Sequence, residues 1–414
     1  MLKPLLHIVL MGLQVVIILS SYWVGEKMRR VAIVGVGQTR CGRRDDVSFP
    51  ELVHEAVREA IDDARLDIKD IEAFVTGSMP APMSGVNAPH LYWADAAGAY
   101  RKPIIRVATC GTTGGSIAHT GYYHVASGLF DVVMVVGAEK MYEGDPQGVM
   151  TTIWDYRYER PFLAGAPGVF AMQAMEYIHR YNFSLEEVAE AAAFLSVKHH
   201  LAALDNPYAH IKQEITVEDV LRSRIVAYPI RLLDICPVSD GACAVILASE
   251  DKARKITDTP VWIKGLGYCG DEQLLADKDL VWWLSAVKAA QKAYKMAGIE
   301  NPVKQIDVAE VYNPFTYQEL TFYECFGFCG KGEAVKLVKE GFFNKDGQLP
   351  TDPSGGVLCT NPIGATGLQR IAEAALQVMG RAGKRQIPAV ETAFAHAMGG
   401  SYSLNSVFIL SRSK

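Results

Sequence analysis

A strand that ends in Gly-x-Gly occurs twice in this chain of 414 residues, as Val31-Ala-Ile-Val-Gly35-Val-Gly37 and as Val261-Trp-Ile-Lys-Gly265-Leu-Gly267. The copies stand 230 positions apart, 35 to 265 and 37 to 267. The segments after the two copies match as well. Apolar residues at helical spacing predict a helix over Pro50 to Leu66 in the first half and over Trp283 to Ala297 in the second. An acidic turn and a strand come next, Ile71–Val75 and Ile306–Val311, and then a Gly-rich turn that opens a helix of small residues. That turn is Cys110-Gly-Thr-Thr-Gly-Gly115 leading to a strand at Val132–Val136, and Asn361-Pro-Ile-Gly-Ala-Thr-Gly367 leading to a strand at Pro388–Thr392. Strands alternating with helices, and then duplicated, predict an α/β protein of two related halves packed face to face. We expect the halves over 29–255 and 256–414, with an insertion over about 145–230 that covers a site, and an apolar extension over 1–28.

The Gly-x-Gly turns do not continue to the third glycine of a dinucleotide fingerprint, and no acidic residue ends the next strand in the required context, so a nucleotide cofactor is not expected. A net charge of −5 without basic runs gives nucleic acid no electrostatic footprint. Eight scattered cysteines lack the dense spacing of a disulfide framework and read as reduced thiols. Cys325 and Cys329 have no second pair to complete a zinc set, so no metal site is expected. Leu5 to Trp23 is apolar enough to read as a membrane span, a secretory signal or an upstream stretch preceding a working start at Met28. The last is our expectation, because Met28-Arg29-Arg30 leads straight into a core strand and a reactive thiol belongs in the cytosol.

Two residues suggest chemistry. Cys110 ends an apolar segment and begins a small-residue helix, where the positive end of the helix dipole favours the thiolate; a buried, inert cysteine is the plain alternative. His396, in Phe394-Ala-His396-Ala-Met-Gly399-Gly400, reads as a histidine on a Gly-rich turn at a strand end, suited to proton transfer near pH 7. His199 and His200, on an amphipathic helix, read as facing solvent or the cover region.

From Met28 onward these motifs resemble the thiolases. Arg106-Val-Ala-Thr-Cys110-Gly is similar to the family's strand–cysteine–helix element, and Val135-Val-Gly137-Ala-Glu139-Lys-Met141 to its following G-x-E-x-M strand. Leu233-Asp234-Ile-Cys-Pro237-Val-Ser239-Asp240-Gly241-Ala resembles the stretch that closes the first half, and Gly355-Gly356 with Asn361–Gly367 resembles G-G…G-H-P-x-G-A-T-G. The resemblance implies a five-layered αβαβα fold, usually dimeric, in which the cysteine is acylated by a 3-oxoacyl-CoA and coenzyme A is substrate, not a resident cofactor. It implies Cys110 as nucleophile, with Gly399, Gly400, Asn313, Phe315 and Gly364 about the substrate. Two positions depart from the family: Asn361 replaces the histidine of G-H-P, and Tyr312-Asn313-Pro314-Phe315 replaces N-E-A-F or H-D-C-F. Asn361 and Tyr312 can donate hydrogen bonds to an oxyanion, but neither is a general base at neutral pH. The base roles would then fall to His396, activating Cys110 and moving the α-proton.

Thiolases with such a tail work beside a small OB-fold protein with a zinc ribbon, which the resemblance adds as an expected partner. The departures, and Trp154, Tyr156, Tyr158 and Phe162 in the cover region, suggest a bulky or aromatic substrate such as benzoylsuccinyl-CoA. Acetoacetyl-CoA is the plainer competitor. A condensing enzyme like the ketoacyl synthases and a non-catalytic acyl-CoA-binding subunit are the other classes.

Overall fold

The computed structural model describes residues 28–162 and 165–413; the apolar stretch Leu5 to Trp23 lies outside them. Nine strands, β1 (Val31–Gln38), β2 (Ala73–Gly77), β3 (Ile104–Val107), β4 (Val132–Lys140), β5 (Asp240–Ser249), β6 (Val261–Gly270), β7 (Val308–Glu310), β8 (Thr392–Gly399) and β9 (Leu404–Ser411), form one sheet in the order β3-β2-β4-β5-β1-β6-β9-β8-β7. The principal helices are α1 (Phe49–Ala64), α2 (Thr113–Ala126), α3 (Ala166–Tyr181), α4 (Leu185–Leu204), α5 (Leu284–Ala297), α6 (Thr316–Cys325) and α7 (Ile363–Met379). The two halves of the sheet join through a short antiparallel pairing of β1 with β6, Ala32 opposite Trp262 and Ile33 opposite Val261.

The sheet folds around α2 and α7. One apolar cluster takes Ile117 and Val125 from α2, Leu368 and Ile371 from α7, Val133 and Val135 from β4, and Ala395 and Phe408 from β8 and β9. The opposite face of the first half packs Val34, Met134 and Ile246 under α1. The outer face of the second half packs Phe394 and Val407 among residues of α5 and α6. The layers therefore run α1, strands, α2 with α7, strands, α5 with α6, which is the expected five-layered α/β arrangement.

The repeated glycines let helices lie directly on strands. A Cβ on Gly37 would come within 2.1 Å of the Ala56 carbonyl, and one on Gly267 within 1.9 Å of the Ala289 carbonyl. Gly35 and Gly265 likewise face Ala60 and Ala64, and Ala293 and Ala297. Each strand thus meets a helix through alanines four residues apart, and the Gly-x-Gly pattern is a packing device rather than a phosphate cradle. Ser48 caps α1, accepting from the Glu51 N–H while Glu51 accepts from the Ser48 N–H in return.

The last strand departs from the expectation. Pro388–Glu391 is turn and loop, and β8 begins at Thr392 and runs through His396 to Gly399. His199 and His200 are buried, not solvent-facing.

Candidate active site

The N-termini of α2 and α7 meet head to head, because small residues stand at the crossing. A Cβ on Gly114 would lie 2.2 Å from the Leu368 backbone nitrogen, and one on Gly367 2.9 Å from the Gly115 nitrogen. This contact brings Cys110, just before α2, together with Asn361, just before α7. Both line a cavity of about 120 Å³ with Tyr312, Phe315, Gly399 and Gly400. The cover region supplies another wall, including Met150, Trp154 and Phe170.

Cys110 is held in left-handed backbone, φ 57°, a conformation that costs a non-glycine residue roughly 1–2 kcal/mol. Thr113 fixes the turn, its hydroxyl donating to the Cys110 carbonyl at 2.6 Å and accepting from the Thr109 N–H at 2.9 Å. Opposite, Gly400, Ser401 and Tyr402 are also left-handed. Trp154 Nε1 donates to Ser401 Oγ at 3.0 Å, and Ser285 Oγ and Asn405 Nδ2 both donate to the Tyr402 carbonyl. Burial pushes the Cys110 thiol up, against the backbone N–H groups of Gly400 and Gly111, which point at the sulfur and pull it down. The dipole expectation gave the direction of the local contribution but not the net result, since desolvation is the larger effect here.

Tyr312 is buried, its hydroxyl hydrogen-bonded with Thr366, and burial holds the phenol far above its ordinary range, hence protonated. Thr366 Oγ1 also donates to Asn361 Oδ1 at 3.0 Å, which turns the amide N–H groups toward the cavity side, where one donates to Cys236 Sγ at 3.2 Å.

His396 is elsewhere. Its Nδ1 accepts from the Tyr312 backbone N–H at 3.2 Å and its Nε2 donates to Asn405 Oδ1 at 2.9 Å, while Phe322 and Phe326 press on the ring. It is buried outside the cavity lining, and burial drops its pKa to about 3. The physical reason is strand alternation. Within β8, residues 394 and 396 face the outer helices α5 and α6, whereas Ala397 faces Gly115 of α2. The expected contact between His396 and Cys110 is therefore not made; His396 instead ties the Tyr312 backbone to the Asn405–Tyr402 turn that presents Gly400.

Two further residues named from the sequence also stand back from the cavity. Asn313 donates to Glu319 Oε2 at 2.8 Å and accepts from the Val357 N–H at 2.9 Å. Gly364 packs against Glu139, whose carboxylate also accepts from the Met79 N–H; its neighbour Ile363 lines the cavity instead. Of the four cover aromatics, Trp154 alone reaches the cavity, and Tyr156, Tyr158 and Phe162 are exposed. The residue that sequence reasoning passed over is Cys236, which lines the cavity. Its signal was its place between Asp234 and Pro237, in the very loop that resembles a family motif.

Among the described residues, His199, Glu319 and Asp352 form the one cluster with metal-ligand spacing. Lys198 Nζ already stands 3.1 Å from Glu319 Oε1, and His199 Nε2 lies 2.6 Å from Glu319 Oε2, so an ammonium supplies the positive charge there. No helix among the described residues is long and apolar enough to cross a membrane.

Comparison with known proteins gives the site its context. The family model "Thiolase, N-terminal domain" matches residues 31–251, and "Thiolase C-terminal domain-like" matches 268–412. An acetyl-CoA acetyltransferase of Methanothermobacter thermautotrophicus is 37% identical over 390 residues, 93% of this chain and all of that protein. The benzoylsuccinyl-CoA thiolase subunit BbsB of Thauera aromatica is 31% identical, over 90% of this chain and 95% of its own length. Among solved structures, the Ltp2-ChsH2(DUF35) aldolase superposes with a TM-score of 0.81 at 27% identity, covering 94% of this chain and 99% of that one. With both halves matched in order along a duplicated five-layered fold, the chain belongs to the thiolase family and is an acyltransferase.

Proposed function

We propose that this acyltransferase cleaves or forms 3-oxoacyl-CoA thioesters through an acyl-enzyme on Cys110, with coenzyme A as substrate and no resident cofactor. What supports this above all is the left-handed Cys110 at the cavity wall, with the Gly111 and Gly400 N–H groups turned on its sulfur. A thiolate formed there splits one difficult carbon–carbon step into two thioester steps. The Asn361 amide would hold the developing oxyanion, with the Tyr312 hydroxyl turning its one proton from Thr366 to join it. Gly399, Gly400 and Phe315 would flank the acyl group, while Asn313, Gly364 and His396 would act through the residues they support.

The transferred acyl group is apolar in this reading, since Met141, Met150, Trp154, Phe170, Phe315 and Ile363 line the cavity. An aromatic acyl group, as from benzoylsuccinyl-CoA, suits that wall, although among the described residues no lysine or arginine lines the cavity to meet a second carboxylate. Acetoacetyl-CoA is the second reading, favoured by a volume of about 120 Å³, below the ~150 Å³ that holds a benzene ring. CoA-dependent cleavage of a panel of 3-oxoacyl-CoA thioesters, with products separated by chromatography, decides between them. Cleavage with release of a shorter acyl-CoA supports the proposal; condensation that never reverses would indicate a ketoacyl-synthase-like enzyme, and neither activity a binding subunit.

The chain would work as a homodimer, because β3 is an edge strand with Ile105 exposed, and Tyr100 before it and Tyr123 on α2 are exposed as well; light scattering at the monomer mass would refute that. A small OB-fold protein with a zinc ribbon would join it, supported by the naming of BbsB as a subunit and of Ltp2 together with ChsH2. Assays with and without such a protein, and fractionation for the proposed cytosolic location, test these points.

A further inference from the structure

Acyl transfer between carbon and sulfur needs a group that moves the α-proton, and His396 does not reach the cavity. Among the described residues that line it, three side chains carry a titratable proton: Cys110, Cys236 and Tyr312. Tyr312 is set aside because the proposed function gives its hydroxyl to the oxyanion. Cys110 is occupied as the nucleophile. Cys236 remains, and the fold seats it firmly. Its backbone N–H donates to the Pro314 carbonyl at 2.9 Å, Ile235 pairs with Phe315, and Thr316 Oγ1 donates to Asp234 Oδ1 at 2.9 Å. The Asn361 amide then donates to its sulfur at 3.2 Å, with the amide turned by Thr366. Cys110, Cys236 and Tyr312 line one cavity, and the Tyr312 hydroxyl would lie 3.1 Å from a Cβ on Gly111, the residue after Cys110.

We propose that Cys236 is the second acid–base of this cavity, giving its S–H proton to the α-carbon in cleavage and taking the α-proton back in condensation. The inference rests on the acyl-enzyme reading of Cys110. With Cys110 entering as the thiolate, its sulfur attacks the 3-oxo carbon and the C2–C3 bond breaks, leaving its electron pair on C2 as the thioester enolate. Cys236 protonates C2, releasing the shorter acyl-CoA and becoming a thiolate. Incoming coenzyme A gives its S–H proton to Cys236, attacks the acyl carbon and expels Cys110 as thiolate. Both sulfurs return to their starting states, and no outside acid is consumed. Burial pushes the Cys236 thiol up to about 12, with the Asn361 hydrogen bond acting against it, so at neutral pH it holds the proton that cleavage requires.

The test is exchange of the C2 hydrogens of acetyl-CoA for deuterium in D₂O, read by mass spectrometry, beside acylation of Cys110 read on the intact protein. Wild type should exchange. Cys236→Ala and Cys236→Ser should lose exchange by about 100-fold or more, the usual loss of a general base, with Cys110 still acylated by acyl-CoA and the near-ultraviolet circular dichroism unchanged. Cys236→Asp, which puts a carboxylate in place of the thiol, should keep exchange well above that of Cys236→Ala, which keeps the proposal testable if the Cys236→Ala variant fails to fold. Exchange at the wild-type rate in Cys236→Ala, exchange no higher in Cys236→Asp than in Cys236→Ala, or no exchange by wild type would overturn it. Failure of Cys110 to acylate while Cys236-dependent exchange persists would instead count against the acyl-enzyme reading alone.

Discussion

At His396 both ring nitrogens are committed, one to the Tyr312 N–H and one to Asn405, so substitution there separates positioning from proton transfer. His396→Asn keeps a side-chain oxygen able to accept from the Tyr312 N–H, whereas His396→Leu leaves that buried donor unpaired at a cost of roughly 1–3 kcal/mol. We expect Asn to retain most of the Cys110 acylation rate and Leu to lose stability and about tenfold in rate; equal and near-complete loss in both would restore a base role. The pH dependence comes from the same burial. The folded-state pKa of about 3 lies below the ordinary 6.5, so the neutral ring contributes stability that is present above pH ~6.5 and is lost as pH falls toward 3. Urea unfolding between pH 4 and 8 should show a shallower acid loss in His396→Asn than in wild type, and the rate profile should show no inflection from this histidine. Cys110 was legible because it stands between an apolar segment and a small-residue helix, and Asn361 and Tyr312 because each departs from a motif. Cys236 carried only the signal of its motif-like loop, since nothing in a linear stretch indicates that an asparagine 125 positions away donates to its sulfur.

Among elements, the meeting of α2 with α7 carries the site, and Gly114 is the residue that permits it. Gly114→Ala would drive a methyl group into the Leu368 backbone nitrogen, costing about 1–3 kcal/mol of stability by overpacking and spreading Cys110 from Asn361. Gly270→Ala, whose Cβ would meet nothing nearer than Leu404 Cδ2 at 3.5 Å, is the control. A melting temperature and acylation rate lowered in the first and unchanged in the second are expected; equal behaviour would mean the helix contact is dispensable. Helices α1 and α5 were readable in the sequence to within a residue or two, since each shows one apolar face. The last strand was not. Thr392–Gly399 is buried on both faces, so its composition lacks the alternation that fixes a register, and Gly399-Gly400 read as a turn beginning earlier. That displacement turned a strand-interior histidine into an apparent strand-end base.

On the scale of the whole molecule, duplication made the architecture legible: matched Gly-x-Gly strands imply matched helices above them, and two such halves must bury their central helices together. The cover region was legible as an insertion but not in its effect, because only Trp154 of its four singled-out aromatics turns inward. In the proposed function this assembly exists to present Cys110 as an acyl acceptor. Intact-protein mass spectrometry of wild type and Cys110→Ser, mixed with acetyl-, benzoyl- and succinyl-CoA, with and without a candidate OB-fold partner, tests it most directly. An acyl mass is expected on wild type and not on Cys110→Ser, with the apolar acyl groups favoured over succinyl. A folded wild type that acquires no acyl group under any of these conditions, or an adduct that persists in Cys110→Ser, would contradict it.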